Sequence, residues 1–586
     1  GESYINLNKK QEALNAFRNA SQMDFDAKIQ EDAWLNYAKI SYEIGNPYQS
    51  VPQVLTSYLK AYPNSGYKEE VETLLIDSYI TSKNYKEALE LLKGKNSFEN
   101  KAAYQKVAFF RAVELFNENK YNEALGLFKG SLKEPIDPVF VAKATFWKAE
   151  TEYNLTNYND ALIGFKQFDG YSESAGLSEN ENLNYNLAYT YFKLKDYANA
   201  SNYFEKFIKN KSNDKLRQND AYLRLADGYF VSSKYQNAIE AYKKAIQINE
   251  IETDYAAFQT AMSQGYLGKG ADKISELKAF INQYPKSALR DDAMYELANS
   301  YVKSNESDKA MQMYDRLNSE YKTSAFTSKA LLRQGLVYYN GNDNNRALTK
   351  FKQVATDFPG SGEAVQAVST VRLIYIDLGK VDEYATWVRT LDYVEVTDVD
   401  LDNATYLAAE KPYLDNETDK AIRQFNKYLN EFPKGLHNEK AHFYLAQLYY
   451  KKELFDNAQP HFKAVVEASK SEYTEQAIVK LCEIYLGKSN WEKAVPVLKR
   501  LELEADYPQN VVYAQSNLMN AYYQTEDYVK AESYAEKVLS NSKLDNKVKS
   551  DAKLTIARSA IKIGDEAKAK IAYAEVEKLA TGSVAA

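Results

Sequence analysis

The 586-residue chain is poor in the features that mark most functional classes. A single cysteine leaves no intrachain disulfide and no cysteine-rich zinc module, although disulfide-free proteins occur on both sides of membranes. Glycine (22) and proline (12) fall well below average usage, so breakers of regular structure are scarce. Lys and Arg total 74 against 81 Asp and Glu, a net charge of −7, and the basic domain of a nucleic-acid binder is missing. No run approaches the roughly 18 apolar residues of a membrane span. Leu74-Leu75-Ile76 is typical, ended at once by Asp77.

What the chain has in excess is aromatic: 50 Tyr, 25 Phe and 4 Trp. Many amphipathic rings and few breakers point to an all-helical protein. At about 150 residues per domain the length alone predicts four domains, unless a repeat overrides it. A repeat does. An aromatic, two further residues and a small anchor recur in Tyr85-Lys86-Glu87-Ala88, Tyr121-Asn122-Glu123-Ala124, Tyr158-Asn159-Asp160-Ala161, Phe455-Asp456-Asn457-Ala458 and Tyr528-Val529-Lys530-Ala531. Sixteen anchors follow: Ala13, Val51, Ala88, Ala124, Ala161, Ala200, Ala238, Ser275, Ala310, Ala347, Tyr384, Ala421, Ala458, Ala494, Ala531 and Ala569, spaced by about 37 residues. Each unit predicts helix, turn, helix. Leu445, Ala446 and Tyr449 share one helical face, and Ala458, Phe462 and Val465 form the facing stripe. No unit can bury that face alone, so the four domains become one stacked array.

The arrangement resembles the tetratricopeptide repeat, through Tyr444-Leu445-Ala446, Tyr449, Ala458 and Phe462 in unit thirteen and Tyr222, Leu225-Ala226, Tyr229, Ala238, Tyr242 and Ala245 in unit seven. The resemblance implies a right-handed α-solenoid of about sixteen helix-turn-helix repeats over residues 1–586, acting as a non-catalytic interaction scaffold without cofactor. Its partners would be other proteins, lying as an extended segment or a domain in a concave groove, and not nucleic acid. Unit exits carry aromatic-proline steps such as Tyr62-Pro63, Tyr284-Pro285, Phe358-Pro359 and Phe432-Pro433. These exits resemble bacterial cell-envelope members of the family, which implies a periplasmic, outer-membrane-associated subunit concerned with outer-membrane protein biogenesis or secretion.

Several places break the rhythm. Counting back from Ala13 starts the chain in the middle of a helix, so a preceding segment, with room for a signal or lipid anchor, is expected. Residues 169–180 are Gly/Ser/Glu-rich and predict a surface loop. Unit eight, with Ser275 as anchor, is degenerate. Tyr384 replaces the anchor alanine of unit eleven, and Pro412 is expected to interrupt the following helix after its opening turns. Residues 390–415 are therefore the expected joint, dividing the array into 1–389 and 416–586. Gly582–Ala586 is expected to be a frayed end.

Catalytic motifs are not found. Gly487-Lys488-Ser489 lacks the first glycine of a phosphate loop, which is Cys482 here. Asp398-Val399-Asp400-Leu401-Asp402-Asn403 has Asn403 and Ala409 where a calcium loop needs Gly and Glu, and is expected to be an acidic loop capping a helix near Asn403. His437, His442, His461 and Cys482 lack metal-ligand spacing and are expected in packing roles. No metal site is expected.

Most tyrosines fall on core positions. The rest form a stripe on the first helices, Tyr153, Phe192, Phe230, Tyr339, Tyr450 and Tyr523, with Phe109, Phe146, Tyr185, Tyr295 and Phe443 seven residues before that position in their own units. In the resembling family this stripe faces the groove, so these eleven rings are the candidate partner-binding surface. Two other readings stay open: a glycan-binding protein using the same rings, and the spacer of a larger enzyme.

Overall fold

A computed structural model describes residues 1–210, 214–541 and 543–579. Among them the chain forms thirty-two α-helices, one short 3-10 helix and no strand. The helices fall into sixteen pairs, and every anchor lies on the second helix of its pair, so the α-solenoid of helix-turn-helix repeats is the fold. The chain divides into two compact units, Gly1–Met313 with repeats one to eight and Tyr314–Ala586 with repeats ten to sixteen. The division falls in the second helix of repeat nine, Ser307–Glu320.

One turn chemistry is used almost throughout. The residue five before the anchor takes positive φ, as at Asn119 (59°), Asn342 (59°) and Asn416 (60°). Asparagine tolerates this left-handed conformation and glycine adopts it freely, as at Gly379 (69°), yet Lys83, Thr156, Lys195, Ser233, Glu453, Ser489 and Glu526 hold it too, so the hairpin frame imposes it. The next N–H then bonds back to a carbonyl five residues earlier, Lys120 to Leu115 (2.8 Å) and Leu454 to Tyr449 (2.9 Å), closing the first helix. The same bond corrects the register of repeat eight. Lys269 donates to Gln264 and Gly268 has the positive φ, so Lys273, and not Ser275, stands at the anchor. Its long side chain is housed because Gly265 lacks a Cβ, which would lie 2.7 Å from Lys273 Cδ.

The core repeats with the same period. Anchors Ala88, Ala124, Ala161, Ala238 and Ala458 are fully buried, as are Phe128, Phe165, Tyr242 and Phe462 four residues later. Burying each such ring contributes roughly 1.5–3 kcal/mol. Small residues let the paired helices touch: a Cβ on Gly164 would lie 2.7 Å from that of Ala149.

The irregular segments are more ordered than their composition suggests. Residues 169–180 contain a 3-10 turn, Ser174–Gly176, and Tyr171 and Leu177 pack on the core of repeats five and six, so apolar side chains pin the expected surface loop. The expected joint at 390–415 lies inside the second unit. There the second helix of repeat eleven stops early, at Val388, and Tyr393, Val394 and Val396 pack against the adjacent core. The acidic run 398–403 is not a loop. It forms the first turns of the helix Asp398–Leu414, because Thr397 caps that helix reciprocally with Asp400. Pro412 does not interrupt this helix either; it sits in its last turn and its carbonyl accepts the closing turn bond from Glu417. Gly582–Ala586 lies outside the described residues. No described helix is long and apolar enough to cross a membrane.

Candidate functional site: a polar ladder across first helices

In the first unit, the first helices of repeats five to eight (Pro138–Asn154, Asn180–Lys193, Lys215–Val231 and Thr253–Tyr266) are joined by polar side chains. Asn186 donates its amide to Glu150 (2.5 Å). Tyr185 and Tyr189 both donate to Asp220 (2.7 and 2.5 Å). Arg224 donates to Asp220 (3.3 Å), Asp227 (2.9 Å) and Glu252 (2.8 Å). Asp227 also accepts from Tyr242 (2.7 Å) and Tyr255 (2.9 Å). Asp220, Arg224 and Asp227 stand at i, i+4 and i+7 on one helix, which sets them on a single face.

Such a network is costly to bury and is held only because its members are mutually satisfied. Burial works against the Arg224 charge, but Asp227, Tyr189 and Asp220 outweigh it and hold the guanidinium protonated. Burial, then the hydrogen bond to Asp220, pushes both Tyr185 and Tyr189 far above the usual phenol range. Burial lifts the Glu150 carboxyl to about 7, with the Arg217 charge pulling the other way. Three carboxylates, Asp220, Asp227 and Glu252, share Arg224, and Glu150 has no ion-pair partner among the described residues, so acidic groups outnumber the ladder's one arginine.

Between the first helices of repeats five and six lies an open cavity of about 190 Å³, lined by Glu150, Tyr153, Tyr185, Asn186 and Tyr189. A single water needs only about 10–15 Å³ of such space, so the cavity has room for a side chain.

Of the eleven candidate rings, Tyr153 and Tyr185 line this cavity. Phe109, Phe146 and Phe443 do not belong to a partner surface: each is only 4% exposed, packed in the core of its own repeats. Helical spacing put them on the stripe, and the neighbouring repeat covers them. Phe192, Phe230, Tyr295, Tyr339, Tyr450 and Tyr523 are half-buried. Several of these meet the aromatic five residues later edge to face across the turn: Tyr153–Tyr158 (5.4 Å), Phe192–Tyr197 (5.4 Å), Phe230–Tyr235 (5.6 Å), Tyr450–Phe455 (5.2 Å) and Tyr523–Tyr528 (5.6 Å). They staple the turn as well as facing outward.

The residues missed by an aromatic search are polar. Asp77, Glu150, Asp227, Glu410, Gln447, Glu483 and Asn520 all stand eleven residues before their anchors, between the two aromatic positions of the stripe. That recurrence was available in the sequence. The pairing of His442 and His461 was not: their Nδ1 atoms lie 2.8 Å apart, with Tyr449 stacked on His461. Burial lowers both pKa values, and the neighbouring ring takes His461 to about 4. Cys482 is fully buried, which pushes its thiol up to about 12. Among the described residues no three metal-ligating side chains converge.

A family model of the tetratricopeptide repeat matches residues 185–250, the heart of the ladder, and a second model of the same repeat matches 292–324 and 329–361. These segments are tetratricopeptide repeats. Among solved structures the chain is similar to YrrB, described as a tetratricopeptide repeat protein with an unusual peptide-binding site (19% identity, 33% of this chain and 93% of that one, TM-score 0.27). It is also similar to MamA (20% identity, 28% and 92%, TM-score 0.24) and to a tetratricopeptide repeat protein from Parabacteroides merdae (17% identity, 44% and 95%, TM-score 0.23). No curated protein matches the chain.

Proposed function

We propose that the chain is a non-catalytic scaffold that docks an extended segment of another protein across the first helices of repeats five to eight. The observation that carries this reading is the ladder itself. Side chains from four successive first helices form one acidic, tyrosine-rich face with an open cavity, at a cost in buried polar groups that packing alone does not call for. Rigid rings supply contact area at low entropic cost, and fixed carboxylates supply orientation. A photo-cross-linking residue at Lys193, exposed on the same helix face as Asn186 and Tyr189, tests it. Trapping a protein segment is the expected result; trapping oligosaccharide favours the glycan-binding alternative.

The reading extends to a periplasmic, outer-membrane-associated complex for outer-membrane protein biogenesis or secretion. It is supported by the resemblance of the aromatic-proline exits to those of bacterial envelope proteins. In this chain's exits the ring packs back on the helix it ends, as in Tyr58–Tyr62 (5.4 Å) and Tyr428–Phe432 (5.8 Å). Recovery of the native protein only in a cytosolic fraction would overturn this part.

A further inference from the structure

We infer that the cavity between the first helices of repeats five and six receives a basic side chain, lysine or arginine, of the docked segment. This rests on the docking reading above and names the chemistry of one anchor within it.

The chain carries its own template for such a site. In the second unit Glu410 stands at the same repeat position as Glu150, and there Lys440, from the next first helix, fills the space. Its ammonium lies 2.8 Å from the Glu410 carboxylate and 5.4 and 5.5 Å from the ring centres of Tyr406 and Tyr444. Glu483, again at that position, has Lys480 at 2.8 Å, with the Lys480 ammonium 4.7 Å from the ring centre of Tyr450. In both cases a carboxylate and aromatic faces hold a lysine, as electrostatics and the ring quadrupole favour.

At repeats five and six the carboxylate is present and the lysine is not, and the aromatic walls are rebuilt from other repeat positions, since Phe146 and Asn186 stand where Tyr406 and Tyr444 do and Tyr153, Tyr185 and Tyr189 line the cavity instead. The residue of repeat six that corresponds to Lys440 is Asn182, which instead accepts from Arg217 (2.9 Å). Glu150 has one hydrogen bond, from Asn186, and no Lys or Arg within ion-pair distance among the described residues. Tyr153, Tyr185 and Tyr189 wall the cavity, and the hydroxyls of Tyr185 and Tyr189 are tied back to Asp220, which fixes those two rings. The charge that acts on Glu150 is that of Arg217, exposed and occupied by Asn182 (2.9 Å) and Asp214 (3.6 Å), while Asp220, behind Tyr185 and Tyr189, is countered by Arg224 (3.3 Å). A cation entering the cavity finds a half-buried carboxylate, three aromatic walls and an unfilled volume. Its entry also ionises Glu150 and releases that proton to solvent when the pH is below about 7.

The test is selection of random dodecapeptides displayed on phage against the whole chain, followed by binding measurements on the peptides recovered. The expected peptides share one Lys or Arg position. Replacing that residue by norleucine should weaken binding to the native chain by roughly tenfold or more, and should change binding to Glu150→Gln little. Affinity for the native chain should rise from pH 6 to pH 8, and for Glu150→Gln stay level. Tyr153→Leu, which leaves the carboxylate in place, should weaken the same peptides by roughly threefold to tenfold, and serves if the first variant proves unstable. Peptides without a shared basic position, or equal binding by the variants, overturn the cation receptor while leaving the docking reading intact. Recovery of no peptide overturns both.

Discussion

Repeats five to seven of the first unit and repeats ten and eleven of the second use one frame for opposite ends. Eleven residues before the anchor, repeats five to seven carry Glu150, Tyr189 and Asp227, and repeats ten and eleven carry Leu336 and Leu373. The former set builds a ladder of hydrogen bonds beside an open cavity. The latter repeats hold a large apolar cluster in which Phe351, Val354, Val371, Ile374 and Val388 are fully buried. There Tyr384 replaces the small anchor, its ring 6.5 Å from Tyr375 and 6.2 Å from Trp387, and the segment after Val388 fills the space. Tyr393 closes it by donating its hydroxyl to the carbonyl of Ala355 (2.7 Å). The helix-turn-helix frame therefore sets where backbone goes, while the outward position varies: it carries hydrogen-bonded polar groups in the ladder, and in repeats ten and eleven Leu336 packs on the apolar cluster while Leu373 stays exposed.

The largest effect expected from breaking this contrast is in the apolar region. Phe351→Ala should cost about 3–5 kcal/mol, since Gly335 beneath the ring leaves no side chain to collapse into the space. Hydrogen exchange should show the loss concentrated in residues 327–388. In the polar region, Arg224→Met should cost about 3 kcal/mol by leaving Asp220 and Asp227 without a counter-charge. Adding Asp220→Asn and Asp227→Asn should recover most of it in chemical denaturation. An unrelieved loss would mean that Arg224 acts through packing of its stem.

A pH series sharpens the comparison between Glu150 in the first unit and the histidine pair in repeat thirteen. Glu150 is raised in the folded chain from 4.5 to about 7, so its contribution is fully present below 4.5 and lost as pH rises through about 7. His461 is lowered from 6.5 to about 4, and His442 in the same direction, so their contribution is present above 6.5 and lost as pH falls toward about 4. Protection from exchange, corrected for the intrinsic pH dependence of amide exchange, should fall toward alkaline pH in residues 138–193 and toward acid in 438–467. Glu150→Gln should flatten the former trend and a His442→Phe, His461→Phe pair the latter. The smallest effect should come from the turn staples. Tyr197→Leu and Tyr528→Leu should each cost about 1 kcal/mol, and similar values would show that the edge-to-face pair belongs to the frame and not to either region.

The fold was largely legible because its signals are local. The anchor alanine, the aromatic three residues before it and the polar turn residue five before it all act within one helical hairpin. Lys273 escaped because a lysine at a small-residue position is allowed only by Gly265 on the facing helix. Pro412 leaves its helix intact because a proline in the last turn still offers its carbonyl to the closing bond from Glu417. Phe109, Phe146 and Phe443 were misplaced for a related reason, since helical spacing shows which side of a helix a ring takes but not how far the next repeat reaches over it.

By itself the sequence determined an all-helical array of sixteen hairpins, because a period of about 37 residues and its turn chemistry are written into each repeat. Which side chains of adjacent first helices meet was decided by tertiary structure alone. The Asn186–Glu150 bond, the two tyrosines on Asp220 and the paired histidines depend on the offset between stacked helices. So does the contact between Lys440 and Glu410, which has no counterpart at Glu150 among the described residues.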